Sequence, residues 1–302
     1  MTNKKSIVTM AAMLFAAVVF CSCAKEVTDE YEPESAGENA LHVFTRGTGG
    51  TDAAYVTYPV QVYAFNATGD CVAVQTIADD EDALSLTLAN GEYNIYAIGG
   101  AQADRYEWPS QENATPTTRL VLAEGKTLDD LQAASGSVTL NNEDANLLLT
   151  LERKVMMLDE VIVEQVPASV TAVSVTLQPL YESLLLDGSY DGTAGESVLS
   201  LTCQADGTTW RYGQAALYLF PSVGTLSITI RFTSGDTTTS YTYQSEGAMT
   251  ANHHFSLTGT YAGSGFHVSG TLTGQDWGVD QAIAFTFNET HKTGEENNNG
   301  GG

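Results

Sequence analysis

Strict alternation of apolar and polar positions, rather than helical periodicity, runs through most of this chain. In Tyr58-Pro59-Val60-Gln61-Val62-Tyr63-Ala64-Phe65, residues Val60, Val62 and Ala64 fall on one face of an extended segment. The turn-forming cluster Asn66-Ala67-Thr68-Gly69-Asp70 separates it from Cys71-Val72-Ala73-Val74-Gln75, which predicts a hairpin. Leu84-Ser85-Leu86-Thr87-Leu88 alternates fully. It is joined to Tyr93–Ile98 through Asn90-Gly91, a dipeptide preferred in tight hairpin turns because both positions tolerate positive φ. Residues 99–137 are irregular, with Leu128-Asp129-Asp130-Leu131, opened by Thr127, as the one candidate for a short capped helix. Val138 to Leu151 predicts a further strand pair.

A second block continues with expected strands near 158–165, 170–178, 197–203, 215–220, 225–232, 239–244, 253–260, 266–273 and 281–287. Turn signals at Asp187-Gly188, Asp206-Gly207, Ser234-Gly235-Asp236 and Gly263-Ser264-Gly265 punctuate it. Short strands repeating every ~8–12 residues indicate sandwiches. The predicted fold is all-β, with two tandem, mainly antiparallel β-sandwich domains over residues 41–152 and 153–288. The polar, low-complexity run 289–302 is expected to be a disordered tail.

The amino terminus breaks the alternation. Lys4 and Lys5 precede an apolar run from Ile7 to Phe20, which is followed by Cys21-Ser22-Cys23. The run is shorter than the roughly 20 residues a membrane-spanning helix needs, so it reads as a removable secretory leader over 1–22. A small residue directly before a cysteine resembles the bacterial lipoprotein signal, in which the cysteine is acylated and becomes the new amino terminus. Cys23, preceded by Ser22, fits better than Cys21, preceded by the bulky Phe20. An ordinary cleaved leader with two incidental cysteines is the alternative. Residues 23–40 are acidic, with Glu26, Asp29, Glu30, Glu32, Glu34 and Glu38, and read as a solvated tether. Acidic residues behind a lipidated cysteine also resemble the surface-export signal of some Gram-negative anaerobes.

Charge narrows the function. The 302-residue chain carries 12 Lys and Arg against 37 Asp and Glu, a net charge of −25. Such a balance lacks the clustered cations that nucleic acid binding needs, and it repels anionic bilayers, leaving the lipid on Cys23 as the expected membrane contact. Beyond the leader, Cys71 and Cys203 are too far apart in sequence for a zinc motif and are expected as two unpaired, partly buried thiols, although an oxidising envelope permits pairing.

Catalytic patterns are sparse. His42, His253, His254, His267 and His291 form no metal-binding spacing, and adjacent His253 and His254 point to opposite faces of a strand. Asp79-Asp80-Glu81-Asp82 lacks the spacing of a calcium loop and reads as a solvated turn. No nucleophile elbow, phosphate loop or dinucleotide fingerprint occurs, so no catalytic residue, metal or cofactor is assigned. Trp108, Trp210 and Trp277 could form a sugar-stacking platform, against the plainer reading of core and edge residues.

Several segments together resemble the fimbrillin family, the lipoprotein-derived type V pilus subunits of anaerobic Gram-negative bacteria, and its anchor and minor-subunit branch in particular. They are Val60–Gly69, Leu84–Leu88 with Gly91-Glu92-Tyr93-Asn94-Ile95-Tyr96-Ala97, Leu151-Glu152-Arg153-Lys154-Val155, Val175–Tyr181, Asn252–Tyr261 and Thr271–Trp277. The resemblance implies transthyretin-like sandwiches and an outer-membrane, surface-exposed lipoprotein of a fimbrium. It also implies partners among other pilus subunits, with a host or bacterial surface receptor as a further candidate. Assembly in the family proceeds by cleavage after an arginine behind the first strand, then β-strand addition into the vacated groove. Here Leu41, Val43 and Thr45 fit the exchangeable strand, and Arg46-Gly47, leading into Thr48-Gly49-Gly50, fits the processing site. Ile283, Phe285 and Phe287 alternate and are candidates for a donor strand or for the last core strand. In the second case the chain is an anchor or a tip rather than a stalk subunit, and an anchor leaves Arg46 uncut. The competing function is a surface lipoprotein that binds glycans through exposed Trp108 or Trp210. A hydrolase is least supported.

Overall fold

A computed structural model describes residues 38–48, 56–80, 84–192, 194–213, 217–262, 265–273, 280–285 and 288–293. The leader, Cys23, most of the tether, Trp277 and Phe287 lie outside the described residues. The first half comprises β1 (Glu38–Gly47), β2 (Val60–Asn66), β3 (Cys71–Ile77), β4 (Leu84–Ala89), β5 (Gly91–Gly99), the two-residue strands β6 (Tyr106–Glu107) and β7 (Val121–Leu122), β8 (Gln132–Leu140) and β9 (Ala145–Arg153). The second comprises β10 (Met156–Glu164), β11 (Ala172–Tyr181), β12 (Ala194–Cys203), β13 (Trp210–Arg211), β14 (Leu217–Leu219), β15 (Ser222–Ser234), β16 (Thr237–Ala248), β17 (His254–Ala262), β18 (Gly265–Thr273), β19 (Asp280–Phe285) and β20 (Asn288–Thr293). The chain is all-β, as its alternation predicts, and residues 36–302 form one compact unit.

In the first half the strands run in the order β3-β2-β5-β8 and β9-β1-β4. The two runs are linked only where Gln132 and Ala133 of β8 meet Arg153 and Glu152 of β9. Their inward residues share one apolar core, including Leu41 and Val43 of β1, Val60, Val62 and Ala64 of β2, Leu84, Leu86 and Leu88 of β4, and Leu149 and Leu151 of β9. This is the alternation read from the sequence, now with both faces assigned. The second half has its own core, built on Val161, Val163, Val175, Leu177, Ile228, Ile230, Phe255 and Leu257.

A third core spans the two halves. Tyr63 and Phe65, on the opposite face of β2 from Val62, pack with Ile98 and Leu131 and with Val155, Leu184, Leu186 and Phe220 from the second half. Strand β2 is therefore buried on both sides, which accounts for its almost unbroken apolar character.

Local pairing departs from the sequence reading in instructive places. The β2–β3 hairpin is present. The β4–β5 hairpin is not: β4 pairs with β1, and β5 pairs with β2 and β8, so the chain changes sheet at Asn90. Gly91 has positive φ (155°) as expected of that dipeptide, but Asn90 acts as a corner staple. Its Oδ1 accepts from Asn39 Nδ2 at 2.7 Å and from the Asn142 backbone N–H at 2.7 Å, tying three chain segments together. Likewise β8 and β9 are consecutive but lie in different runs, meeting only at their far ends. Two strand pairs among the described residues are parallel, β1–β9 and β10–β17, each involving the first strand of a half.

Other expectations need correcting. Strand β1 begins at Glu38, so the last residues read as tether belong to the sheet, with Asn39 buried and the Ala40 N–H donating to Asp144 Oδ1 at 2.8 Å. Leu128–Leu131 is not helical. Asp129 and Asp130 instead pair with different arginines, Arg105 and Arg153, which fixes the backbone in an extended course. The polar tail does not start at 289, because Asn288–Thr293 forms β20 on β16. An edge strand needs only backbone partners, so apolar alternation is not required of it. Cys203 is exposed rather than partly buried, and both it and Cys71 are free thiols.

Gly100 has φ of +84°, and a Cβ there would collide with the Asp130 carbonyl oxygen. Gly100→Ala is expected to lower stability by about 3 kcal/mol, from left-handed strain plus overpacking, read as a fall in the urea midpoint at unchanged slope.

Candidate functional site

Strand β1, the expected exchangeable strand, is seated between β9 and the edge strand β4. It pairs antiparallel with β4, from Glu38–Ala89 to Val43–Leu84, and parallel with β9, from Leu41–Ala145 to Gly47–Leu151. Leu41 and Val43 point inward and are fully buried, with Thr45 half-buried in the same phase. Each buried aliphatic side chain contributes about 1.5–3 kcal/mol. Removing β1 would expose Leu84, Leu86, Leu88, Leu149 and Leu151 and leave two adjacent strand edges without partners, a template for an incoming strand.

Arg46 is exposed at the carboxyl end of β1, its Nε donating to Thr150 Oγ1 at 3.0 Å. Gly47 is buried and aligned with Leu151, and the Thr48 N–H donates to the Leu151 carbonyl at 3.0 Å. The Arg46–Gly47 bond thus lies inside a paired strand that stays hydrogen-bonded through Thr48, and Gly49 and Gly50 of the run expected after Arg46 lie outside the described residues. A protease binds its substrate extended and unpaired, so cleavage here requires β1 to open locally.

Of the candidate donor residues, Ile283 and Phe285 lie in β19, aligned with Gly270 and Val268 of β18. Strand β19 is the outermost strand of its sheet among the described residues.

A buried polar centre lies where the halves meet. The buried Arg153 guanidinium makes a two-pronged contact with the buried Asp130 carboxylate, Nε to Oδ1 at 2.5 Å and Nη2 to Oδ2 at 2.7 Å. Its Nη1 donates to Asn252 Oδ1 at 3.0 Å, from the loop before β17. Around it the Lys154 N–H donates to the Leu131 carbonyl at 2.7 Å, the Asn252 N–H to the Val155 carbonyl at 2.9 Å, and the Tyr190 hydroxyl to the Lys154 carbonyl at 2.9 Å. An open cleft of about 620 Å³ borders this junction, lined by Thr48, Lys154, Tyr181, Tyr190 and Met249 among others. The detectable signal was an arginine at the end of an apolar strand; Asp130, between Asp129 and Leu131, carries no local mark of its partner.

The aromatic and histidine candidates are structural. Trp210 is buried in the second core, and Trp108 is half-buried with its ring stacked on Tyr63 at 6.4 Å. Neither offers the flat exposed face that sugar stacking needs. His254 Nδ1 lies 2.5 Å from Asp159 Oδ2, while His253 Nδ1 contacts the Ala251 carbonyl at 3.0 Å, so the two rings have separate partners. Among the described residues no three His, Cys, Asp or Glu side chains gather in metal-binding geometry. Burial pushes the Cys71 thiol up from its ordinary value, which disfavours the reactive thiolate.

Comparison with known proteins agrees with this architecture. The family of fimbrillin-A associated anchor proteins Mfa1 and Mfa2 matches residues 33–282. The chain belongs to this family. Among solved structures, the fimbrial anchor protein Mfa2 from Porphyromonas gingivalis superposes with a TM-score of 0.59 at 15% identity, over 82% of this chain and 100% of that one. A proposed adhesin from Bacteroides thetaiotaomicron gives 0.55 at 9% identity over 84% and 100%, and one from Bacteroides ovatus gives 0.55 at 12% over 82% and 95%. A search of curated proteins finds no significant sequence match. At these identities the structures speak for the shared fold, and the family rests on the sequence match.

Two measurements follow from this geometry. Arg153→Ala is expected to destabilise by about 3–5 kcal/mol, since it strands the buried Asp130, whereas the double variant Arg153→Met, Asp130→Leu loses much less. Urea unfolding of the three proteins checks it. Trypsin is expected to cut Arg46–Gly47 in the folded chain on the order of a hundredfold more slowly than in the urea-unfolded chain, a local opening cost of about 2.7 kcal/mol. Time-resolved mass spectrometry of the fragments reads the ratio.

Proposed function

We propose that this chain is an anchor-type subunit of a cell-surface fimbria, held at the outer membrane by lipid on Cys23 and joined to other pilus subunits by β-strand addition. The observation that carries the reading is the anchor-family match across residues 33–282. The leader pattern supports the lipid attachment, and the net charge of −25 leaves lipid as the natural bond to an anionic bilayer. In this reading residues 1–22 are the leader, the tether runs from Cys23 into β1 at Glu38, and the two sandwiches are β1–β9 and β10–β20. Strand β1, with Leu41, Val43 and Thr45, stays in its seat and Arg46 remains uncut, because an anchor that lost β1 would also lose its tie to Cys23. Adhesion to a host or bacterial surface belongs to the assembled fimbria to which the anchor contributes.

The test is intact mass of the protein recovered separately from native outer membrane and from sheared fimbriae. The expected result is a chain beginning at acylated Cys23, concentrated in the membrane. A chain beginning at Gly47 in the sheared material would instead make this a processed, incorporated subunit.

A further inference from the structure

The two halves repeat one topology. In the first, β3-β2-β5-β8 faces β9-β1-β4; in the second, β12-β11-β15-β16 faces β17-β10 with β13 and β14 on the far side of β10. Strand β1 corresponds to β10, each paired on both edges and parallel to β9 or β17 respectively. Strand β8 then corresponds to β16. The halves differ at the seam between β8 and β9 and its counterpart between β16 and β17. In the second half both seam edges are covered: β18 runs antiparallel along β17, from Phe255–Leu272 to Ala262–Gly265, and β20 runs antiparallel along β16. In the first half no described strand takes either place. Strands β8 and β9 touch at Gln132–Ala133 and Glu152–Arg153, and among the described residues Ala145–Leu151 of β9 have β1 on one side and no strand on the other.

The uncovered edge also carries apolar surface. Leu148 is 52% exposed on the outer face of β9, directly opposite Phe44 of β1, which is 49% exposed. On the inner side Ala145, Leu147 and Val138 are only partly buried against the first core. Glu143 and Asp144, both exposed, stand at the amino end of this edge.

We propose that the β8–β9 seam of the first half is a second strand-acceptor site, distinct from the seat of β1, filled by an antiparallel strand of a neighbouring pilus subunit. The source of that strand rests on the fimbrial reading above; the site itself rests on the internal repeat. The strand that covers the corresponding edge shows the chemistry required. Phe266, Val268 and Leu272 of β18 alternate with small or polar residues, and Gly270 aligns with Leu257. An antiparallel strand on β9 ends beside Glu143 and Asp144, so the matching occupant alternates in the same way and carries Lys or Arg at its carboxyl end.

The test uses the full folded chain and a synthetic peptide of residues 265–273 followed by two lysines. Fluorescence polarisation reads affinity and amide hydrogen exchange reads location. Binding should slow exchange at 145–151 of β9 and in the facing part of β8. Leu148→Lys should weaken it at least tenfold, as should Glu143→Lys, which touches no core. Absence of binding at millimolar peptide, protection confined to β19 or β20, or affinity in both variants unchanged from that of the unaltered chain overturns the proposal. Fimbriation of cells is scored in parallel. If deleting this chain leaves fimbrial length and retention unchanged, the fimbrial reading fails whatever the peptide does. If deletion disturbs fimbriae while the peptide ignores β9, only the seam proposal fails.

Discussion

The first half closes only when β1 is inserted between β4 and β9. Its Leu41 and Val43 complete a core whose other walls come from β2, β4, β5 and β9, and among the described residues β1 is the one strand that pairs with β4. Its parallel partner lies far along the chain, with Arg46 reaching Thr150 across 104 positions. Such a pairing is entropically costly to form, and its reward arrives late in folding. That places β1 among the elements whose loss is local in sequence but global in consequence.

The second constraint is the polar junction. Burying a charge is costly unless it is paired, and Arg153 meets that condition with Asp130 from the first half and Asn252 from the second. The apolar third core could slide along a greasy interface; the Arg153–Asn252 hydrogen bond crosses it at a fixed point, with the guanidinium itself held by its two-pronged contact to Asp130. Because Arg153 is also the residue where β9 ends and the chain crosses to β10, its contact with Asp130 ties the end of β9 to the segment that leads into β8.

Much of the strand pattern was legible because alternation is a local signal. Leu84 to Leu88, Val60 to Ala64 and the strands of the second half could be placed within a few residues of their ends. Pairing was legible only where it was local, as in β2–β3. Asn90-Gly91 has hairpin chemistry, yet the flanking strands face opposite sheets, and nothing nearby in sequence reveals that Asn39 and Asn142 are its partners. Asp129 and Asp130 imitate a helix start because their arginines are remote. The polar β20 gave no apolar alternation to detect, since an edge strand is held by its backbone. The candidate strand of Leu41, Val43 and Thr45 was readable from its phase. The obstruction at Arg46, by contrast, depends on the Leu151 backbone and could not be read.

The central claim is that β1 is a permanent part of this subunit. Amide hydrogen exchange on full-length protein extracted from its native outer membrane addresses it directly. The account predicts that the amides of Leu41–Gly47 exchange as slowly as those of β4 and β9, in one cooperative unit. Fast exchange of β1 while β4 and β9 stay protected by another chain would contradict it.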